Sequence, residues 1–487
     1  MKLLVANRSE IACRVFQACR EMGIRTVAIV APGDEDARHV TYADEVQAVS
    51  NYLDVDAIIQ AAKKSNASLI HPGYGFLSER PVFARAVEAA GIVFVGPRAE
   101  TMEIMGDKIA AKQLAAEENV QTLPWVRAGQ GSDIKTAAKM VGYPILLKAS
   151  AGGGGKGMRL VENEQQIAAM AESASAEALA AFGDGTLFLE RFIKKPRHIE
   201  VQVFGDGLGG GVHLHERDCS LQRRHQKLWE EAPAVNIPSC TRSELFEAAL
   251  RMVKRVKYRN AGTVEFLVDT EGGFYFLEMN TRLQVEHPVT EMITGIDIVQ
   301  TQIAQALSPD KAVLCDVPEV SGHAIEVRLY AEDPLQGFIP SPGIVERLIW
   351  PSGAGIRIES GIEEGQLIGT QFDSLLGKIV VHAQTRQQAL ARLRFALEGT
   401  VILGVGTNQS YLRALAADPS VLDWKVCTDF LDNEFYKRTQ KFEPSDNELL
   451  TLAAVRAAGR VLPFSMDEKH FPSPWSIFGS RQEERGV

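Results

Sequence analysis

Two strand-like runs, Thr263-Val-Glu-Phe-Leu-Val-Asp269 and Phe274-Tyr-Phe-Leu-Glu-Met-Asn280, flank the short segment Thr270-Glu-Gly-Gly273. A glycine pair between such runs signals a β-hairpin. With the turn centred between Glu271 and Gly272, Glu265 stands opposite Glu278, and strand alternation puts Asn280 on the face of Glu278. Opposed carboxylates repel unless a cation lies between them. An all-oxygen donor set suits Mg²⁺ or Mn²⁺, with nucleotide phosphates completing the shell. The competing reading, a solvated face of unpaired acids, fits poorly with the apolar flanks.

Thr281-Arg-Leu-Gln-Val-Glu-His287-Pro288 follows at once. If the strand continues, Arg282, Gln284 and Glu286 point the same way. A cation, an amide and a carboxylate beside a metal site suit a small anion, and the carboxylate can act as general base. A charged surface edge has the same pattern.

Upstream, Ala151-Gly-Gly-Gly-Gly-Lys-Gly-Met158 lies between two strand candidates. Glycine lets backbone N–H groups close on phosphate oxygens, and Lys156 adds positive charge; the alternative is a flexible surface turn. It is not a Walker A loop, because no Gly-Lys-Ser/Thr opens a following helix. Glu216-Arg-Asp-Cys-Ser-Leu-Gln-Arg-Arg-His-Gln-Lys227 is dense in basic residues. It reads either as a solvated loop or as a phosphate-binding wall. His71, before Pro72-Gly-Tyr-Gly75, reads as structural.

The first part of the chain alternates strand and helix patterns: strands at Leu3–Ala6, Thr26–Val30, Leu69–Ile70 and Ile92–Val95, helices at Glu10–Met22, Asp54–Lys64 and Val82–Ala90. That spacing implies a parallel, doubly wound sheet. A helix from Asp107 to Asn119 carries Lys108. Strands at Pro144–Lys148 and Leu187–Glu190 frame the glycine loop, and hairpins with intervening helices run from Ile199 to about residue 446. Asp446 is placed to cap a helix from Asn447 to Arg460, before an irregular end with Pro463, Pro472 and Pro474. The fold class expected is therefore α/β and α+β.

The 487 residues allow roughly three domains. With 62 acidic against 52 basic residues the net charge is −10, which argues against nucleic acid as partner. Six scattered cysteines without a Cys-x-x-Cys pair read as reduced thiols in a cytoplasmic protein. No run reaches the roughly 18 apolar residues of a membrane span, and no signal or transit peptide is expected before the first strand.

Ala6-Asn-Arg-Ser-Glu-Ile-Ala12, His71-Pro-Gly-Tyr-Gly-Phe-Leu-Ser-Glu79, Gly106-Asp-Lys108, Gly152 to Met158, Pro196-Arg-His-Ile-Glu200, Glu216 to Lys227 and Glu278 to Thr290 together resemble biotin carboxylase, in order, over about residues 1 to 446. The resemblance implies an N-terminal doubly wound domain (1–110), an ATP-grasp lid with its linker (111–195), an ATP-grasp core with the biotin carboxylase C-terminal domain (196–446), and a tail (447–487). It implies nucleotide binding by Lys108, Lys148, Gly154, Gly155, Glu190, His198, Gln222 and His225. Glu265, Glu278 and Asn280 would hold metal, with two ions expected. Lys227 would lie near the transferred phosphoryl group. Arg282, Gln284, Val285, Glu286, Arg328 and Tyr74 would form the bicarbonate and biotin site. Glu286 would deprotonate bicarbonate, carboxyphosphate would form and break to CO₂ and phosphate, and Arg328 would stabilise the biotin enolate. The activity implied is the first half-reaction of an acyl-CoA carboxylase of fatty acid metabolism, with a pyruvate carboxylase subunit or another ATP-grasp ligase as alternatives. A silent assembly subunit would have lost Glu265, Glu278 or Lys227, and all are present.

Two residues depart from the family pattern: Ser9 stands where glycine is usual, and Phe372 where tyrosine is common. The biotin attachment signal Ala-Met-Lys-Met is absent. The chain is therefore expected either to work on a separate biotin carboxyl carrier protein or to be one piece of a larger protein; a carboxyltransferase subunit and a second copy of the chain are the other expected partners, and the final acceptor is left open. In the tail, Phe471, Trp475, Ile477 and Phe478 suggest a docking surface, or a segment folded back on its own domain.

Overall fold

The computed structural model describes residues 1–128, 133–149, 158–182, 185–224 and 226–439. The glycine loop at 152–157, His225 and the segment 447–487 lie outside these, so the expectations placed on them have no structural counterpart here. Residues 1–436 form one compact unit.

Five strands open the chain: β1 (Lys2–Val5), β2 (Arg25–Val30), β3 (Glu45–Ala48), β4 (Leu69–His71) and β5 (Val93–Phe94), all parallel, in the order β3-β2-β1-β4-β5. Leu3, Leu4 and Val5 are fully buried, as expected for a strand covered on both faces. Two of the helices start at a side-chain cap. Asp54 caps the Val55–Ser65 helix by accepting from the Ala57 amide at 2.9 Å, and left-handed Asn66 ends it. Asp107 caps the Lys108–Glu117 helix in the same way.

Pairing of β1 with β4 brings two distant motifs together. The Asn7 side chain donates to the carbonyls of Pro72 (2.8 Å) and Tyr74 (2.7 Å). Gly73 has φ +63°, and a Cβ there would meet Asn7 Nδ2 at 2.8 Å. His71 accepts from the Gly73 amide and contacts Gln302. Burial pushes its pKa down to about 4, so it is a neutral structural histidine at physiological pH.

A second, four-stranded sheet holds β6 (Trp125–Ala128), β7 (Ile145–Ala149), β8 (Arg159–Val161) and β9 (Leu187–Arg191), in the order β6-β9-β7-β8. The glycine loop connects β7 to β8.

The third sheet is eight-stranded. It contains β10 (Arg197–Asp206), β11 (Gly211–Arg223), β12 (Gln226–Ala232), β13 (Arg259–Val268), β14 (Phe274–Asn280) and β15 (His323–Tyr330), with the strands Ile356–Ser360 and Leu375–Ala383. The order runs β14-β13-β10-β11-β12-β15, then Leu375–Ala383 and Ile356–Ser360. The central strands are almost wholly buried, and their faces carry an unusual load of buried charge: Glu200, Glu216, Arg217, Glu230, Glu231, Glu326 and Lys378 are all fully buried. Such groups are tolerated only when paired or neutralised.

Two local expectations need correction. The strand of Asn280 does not continue through residues 281–286, which form a loop; a helix, His287–Thr294, starts directly behind it with Pro288 in its first turn. The basic stretch 216–227 is not a solvated loop, and its members Gln222, Gln226 and Lys227 line a cavity. It forms most of β11 and the start of β12, and Arg217 is wholly interior, donating to Glu200, Gln202, Thr263 and Thr290. Arg223 stacks on Phe338 at 4.0 Å. Ser9, finally, has φ +59°, a left-handed conformation that glycine adopts without strain. Phe372 needs no hydroxyl: Arg8 lies 4.1 Å over its ring and Tyr52 packs edge-on at 5.6 Å.

Candidate functional site

The hairpin β13–β14 is the floor of the site. Near the turn Val268 pairs with Phe274 and Phe266 with Phe276, but beyond a bulge the partners become Glu265–Glu278 and Thr263–Asn280. The turn is therefore centred on Glu271, and the extra residue Leu277 shifts the register by one. The expected opposition of Glu265 and Glu278 is found, but the bulge produces it.

The two acids are in different states. Glu265 Oε1 accepts from Lys227 (2.9 Å), Asn280 (2.9 Å) and Gln284 (3.1 Å). His198 Nε2 lies 3.0 Å from its other oxygen. Burial alone would push its pKa up, but Lys227 and His198 outweigh burial and hold it far below the ordinary value. Glu278 makes no hydrogen bond or ion pair with another described residue. Burial, then the Glu265 charge, push its pKa up. A carboxylate kept bare beside a saturated one is a place for a cation.

Around this pair lies a cavity of about 400 Å³. Its walls include Lys108, Lys148, Glu190, His198, Gln222, Lys227, Glu265, Glu278, Asn280, Arg282, Gln284, Val285, Glu286 and Arg328, which is every described residue expected at the nucleotide, metal or bicarbonate sites except Tyr74. Tyr74 is not among the lining residues and donates its hydroxyl to Glu10.

Lys227 is the hub. Its ammonium donates to Glu200 (2.6 Å), Glu265 (2.9 Å) and Glu286 (2.7 Å). Glu286, fully buried at the N-terminus of the His287–Thr294 helix, also accepts from Arg328 at 2.9 Å. Burial pushes the Glu286 pKa up, but Lys227, Arg328 and Arg217 together hold it well below its ordinary value. The loop before it is braced from outside: Glu79 accepts from Arg282 Nε at 2.9 Å, and Arg282 in turn donates to Gln284 (2.8 Å) and Asn280 (3.1 Å). Arg282, Gln284 and Glu286 thus converge through a loop, where a continuing strand was expected.

Across the cavity, Glu190 sits between Lys112 and Lys148, each 2.5 Å away. Burial opposes ionisation, but the two cations hold its pKa down to about 2. Met158, Leu146, Phe192, Ile193 and Leu277 supply apolar lining, as a purine ring requires.

Several participants escaped the sequence reading. Glu200 lies two residues past His198 on β10, so alternation already put both on one face. Lys112 is one helical turn beyond Lys108. Glu230 and Lys378 carried no local signal. Lys378, fully buried, donates to the Val285 carbonyl at 2.8 Å and approaches Glu10 at 3.3 Å, fixing the loop from behind.

A four-stranded sheet, an acid-bearing hairpin and a lysine-lined cavity match an ATP-dependent ligase of the ATP-grasp class. Family models match in sequence order: the biotin carboxylase N-terminal domain at residues 1–102, the carbamoyl-phosphate synthase L chain ATP-binding domain at 107–310, and the biotin carboxylase C-terminal domain at 326–433. The biotin carboxylase of Pseudomonas aeruginosa is 43% identical over 442 residues, covering 89% of this chain and 98% of that one. The propionyl-CoA carboxylase alpha chain of Ruegeria pomeroyi is 43% identical, covering 94% of this chain and 71% of that one. The biotin carboxylase domain dimer of Hydrogenobacter thermophilus 2-oxoglutarate carboxylase, solved with MgADP, ADP and bicarbonate, superposes with a TM-score of 0.86 at 44% identity, covering 91% and 99% of the two chains. The chain belongs to the biotin carboxylase family.

Among the described residues, no helix is long and apolar enough to cross a membrane.

Proposed function

We propose that this cavity carboxylates biotin borne on a separate carrier protein, using ATP and bicarbonate. The reading is carried by one observation: Glu286 is a buried, ionised carboxylate clamped between Lys227 and Arg328, in the same cavity as the opposed pair Glu265–Glu278.

ATP lies along the cavity, with its adenine against the apolar lining and near Glu190, His198 and Gln222. Lys108 and Lys148 meet its phosphates, and Gly154, Gly155 and His225 complete the nucleotide contacts. Glu265, Glu278 and Asn280 offer the all-oxygen set that Mg²⁺ or Mn²⁺ takes; two such ions, when bound, neutralise phosphate charge during transfer.

Bicarbonate is held by Arg282, Gln284 and the Val285 backbone. In the ligand-free state Lys227 suppresses the basicity of Glu286. Phosphate oxygens drawing the Lys227 ammonium away would raise that basicity when both substrates are present. Glu286 then takes the bicarbonate proton while the bicarbonate oxygen attacks the γ-phosphorus, releasing ADP and forming carboxyphosphate. Carboxyphosphate breaks to CO₂ and phosphate, phosphate accepts the biotin N1′ proton, and N1′ attacks CO₂. Arg328 stabilises the charge developing on the ureido oxygen. Tyr74 acts indirectly here, through Glu10 and Lys378 on the Val285 loop.

The partners in this reading are a biotin carboxyl carrier protein, a carboxyltransferase subunit that chooses the acceptor (an acyl-CoA being our first expectation), and a second copy of the chain in a homodimer, in the cytoplasm. Glu286→Gln tests the reading: it should abolish bicarbonate-dependent ATP hydrolysis while nucleotide binding persists. Normal turnover would refute the assignment of the base.

A further inference from the structure

Beneath the His287–Thr294 helix, a buried charged layer holds an arrangement that binding of ATP and bicarbonate does not explain. Glu230 on β12 and Glu326 on β15 are direct cross-strand partners, and both are fully buried. Arg328, two residues from Glu326, shares its face of the sheet. Arg328 donates through Nε to Glu230 Oε1 at 2.7 Å and through Nη2 to Glu286 Oε2 at 2.9 Å. That leaves Glu230 Oε2 and both oxygens of Glu326 buried without any hydrogen-bond partner.

Ionised carboxylates only accept hydrogen bonds, so two facing each other necessarily look orphaned. Two adjacent buried anions would also repel. The surroundings do not cure this. Arg328 and Lys378 are the facing cations, with Lys227 further off; Glu286 is an additional anion near both acids. Glu10 and Glu359 load Lys378 from its other side, and His287 on the covering helix is kept neutral by burial. A single proton removes the repulsion and satisfies two of the three orphaned oxygens, since an O–H on Glu326 donates to Glu230 Oε2. The charge balance agrees: burial first, then neighbouring carboxylates, push Glu326 well above its ordinary pKa, and Glu230 is pushed up to about 7.

We propose that Glu326 is held as a neutral carboxylic acid that donates to Glu230, a proton-sharing pair that positions Arg328 with one carboxylate charge fewer against it. Were both acids ionised, Arg328 would face three carboxylates and have little charge left for an anionic intermediate. Glu230 and Glu326 are positioning residues here, and the inference rests on the reading of Arg328 given above.

Infrared spectroscopy and biotin stimulation of ATP hydrolysis test it together. The wild-type protein at neutral pH should show a protonated carboxyl carbonyl band that Glu326→Gln lacks. Glutamine still donates a hydrogen bond, so Glu326→Gln should keep near-normal biotin stimulation. Glu326→Leu, which removes the donor, should lose about tenfold, the factor for one charge-assisted hydrogen bond. Equal stimulation in the glutamine and leucine variants, or absence of the acid band from the wild type, overturns the proposal; the band measurement stands even if the leucine variant fails to fold. Arg328→Ala serves as the control. If it keeps biotin stimulation, the reading of Arg328 is wrong; if it loses stimulation while Glu326→Leu keeps it, only the proton-sharing pair is refuted.

Discussion

Replacing Glu278 by glutamine should raise stability while it lowers activity. Without ligands, Glu278 is bare and faces an ionised Glu265 across the hairpin. Like charges opposed on a sheet cost roughly 0.2–1 kcal/mol, and glutamine keeps the shape while removing the charge. Unfolding should therefore need up to about 1 kcal/mol more, a rise in Tm of about 1 °C for a chain of this size. Catalysis should move the other way. If Glu278 helps to hold the divalent cations, its loss removes several kcal/mol of transition-state stabilisation, or on the order of a hundredfold to a thousandfold in turnover, with a higher Mg²⁺ requirement. Thermal denaturation without ligand and ATP hydrolysis over a Mg²⁺ titration give both readouts. A variant that turns over normally at ordinary Mg²⁺, or one clearly less stable than wild type, would refute the reasoning.

Three further outcomes follow from the geometry. Ser9→Gly relieves the left-handed backbone at φ +59° and should stabilise the fold by about 1 kcal/mol in chemical denaturation; a loss of stability would show that the Ser9 side chain matters more than its backbone. Arg217→Met takes from buried Glu200 one of the two cations bonded to it, leaving Lys227, and should cost about 3–5 kcal/mol, so soluble protein with wild-type Tm contradicts it. Glu190 has its folded pKa lowered from 4.5 to about 2, so its contribution to stability, about 3 kcal/mol, is complete above 4.5 and lost as pH falls towards 2. Lys148→Met should therefore shrink the loss of stability over that acid range; an unchanged acid limb would argue against the Lys148–Glu190 pair.

The sequence read best where chemistry is local. Alternation of strands with capped helices placed four of the five N-terminal strands to within a residue or two, because Asp54 and Gly23 mark helix ends by themselves, but it missed the half-exposed edge strand β3 (Glu45–Ala48). The Glu265–Glu278 opposition was legible although its cause was not: a bulge at Leu277 leaves no composition signal, and a turn centre misplaced by half a residue offset it. The basic stretch before Lys227 was misread because a run of arginines looks solvated until the acids that bury it, such as Glu200 on β10, are brought alongside. Strand alternation could not reveal the loop carrying Arg282 to Glu286, since Pro288 breaks the strand only by starting a helix behind it. Glu230, Glu326 and Lys378 were invisible for a simpler reason. Their roles exist only through cross-strand register, and register between strands nearly a hundred residues apart is not written in either strand alone.

The account stands on Glu286 serving bicarbonate activation in a biotin-carboxylating site. The most direct measurement follows isotopically labelled bicarbonate into free biotin, with ADP counted alongside. The wild-type protein should form carboxybiotin with one ADP per carboxyl group, and Glu286→Gln should form none while still binding nucleotide. ATP hydrolysis that ignores bicarbonate, or label that never reaches biotin, would contradict it.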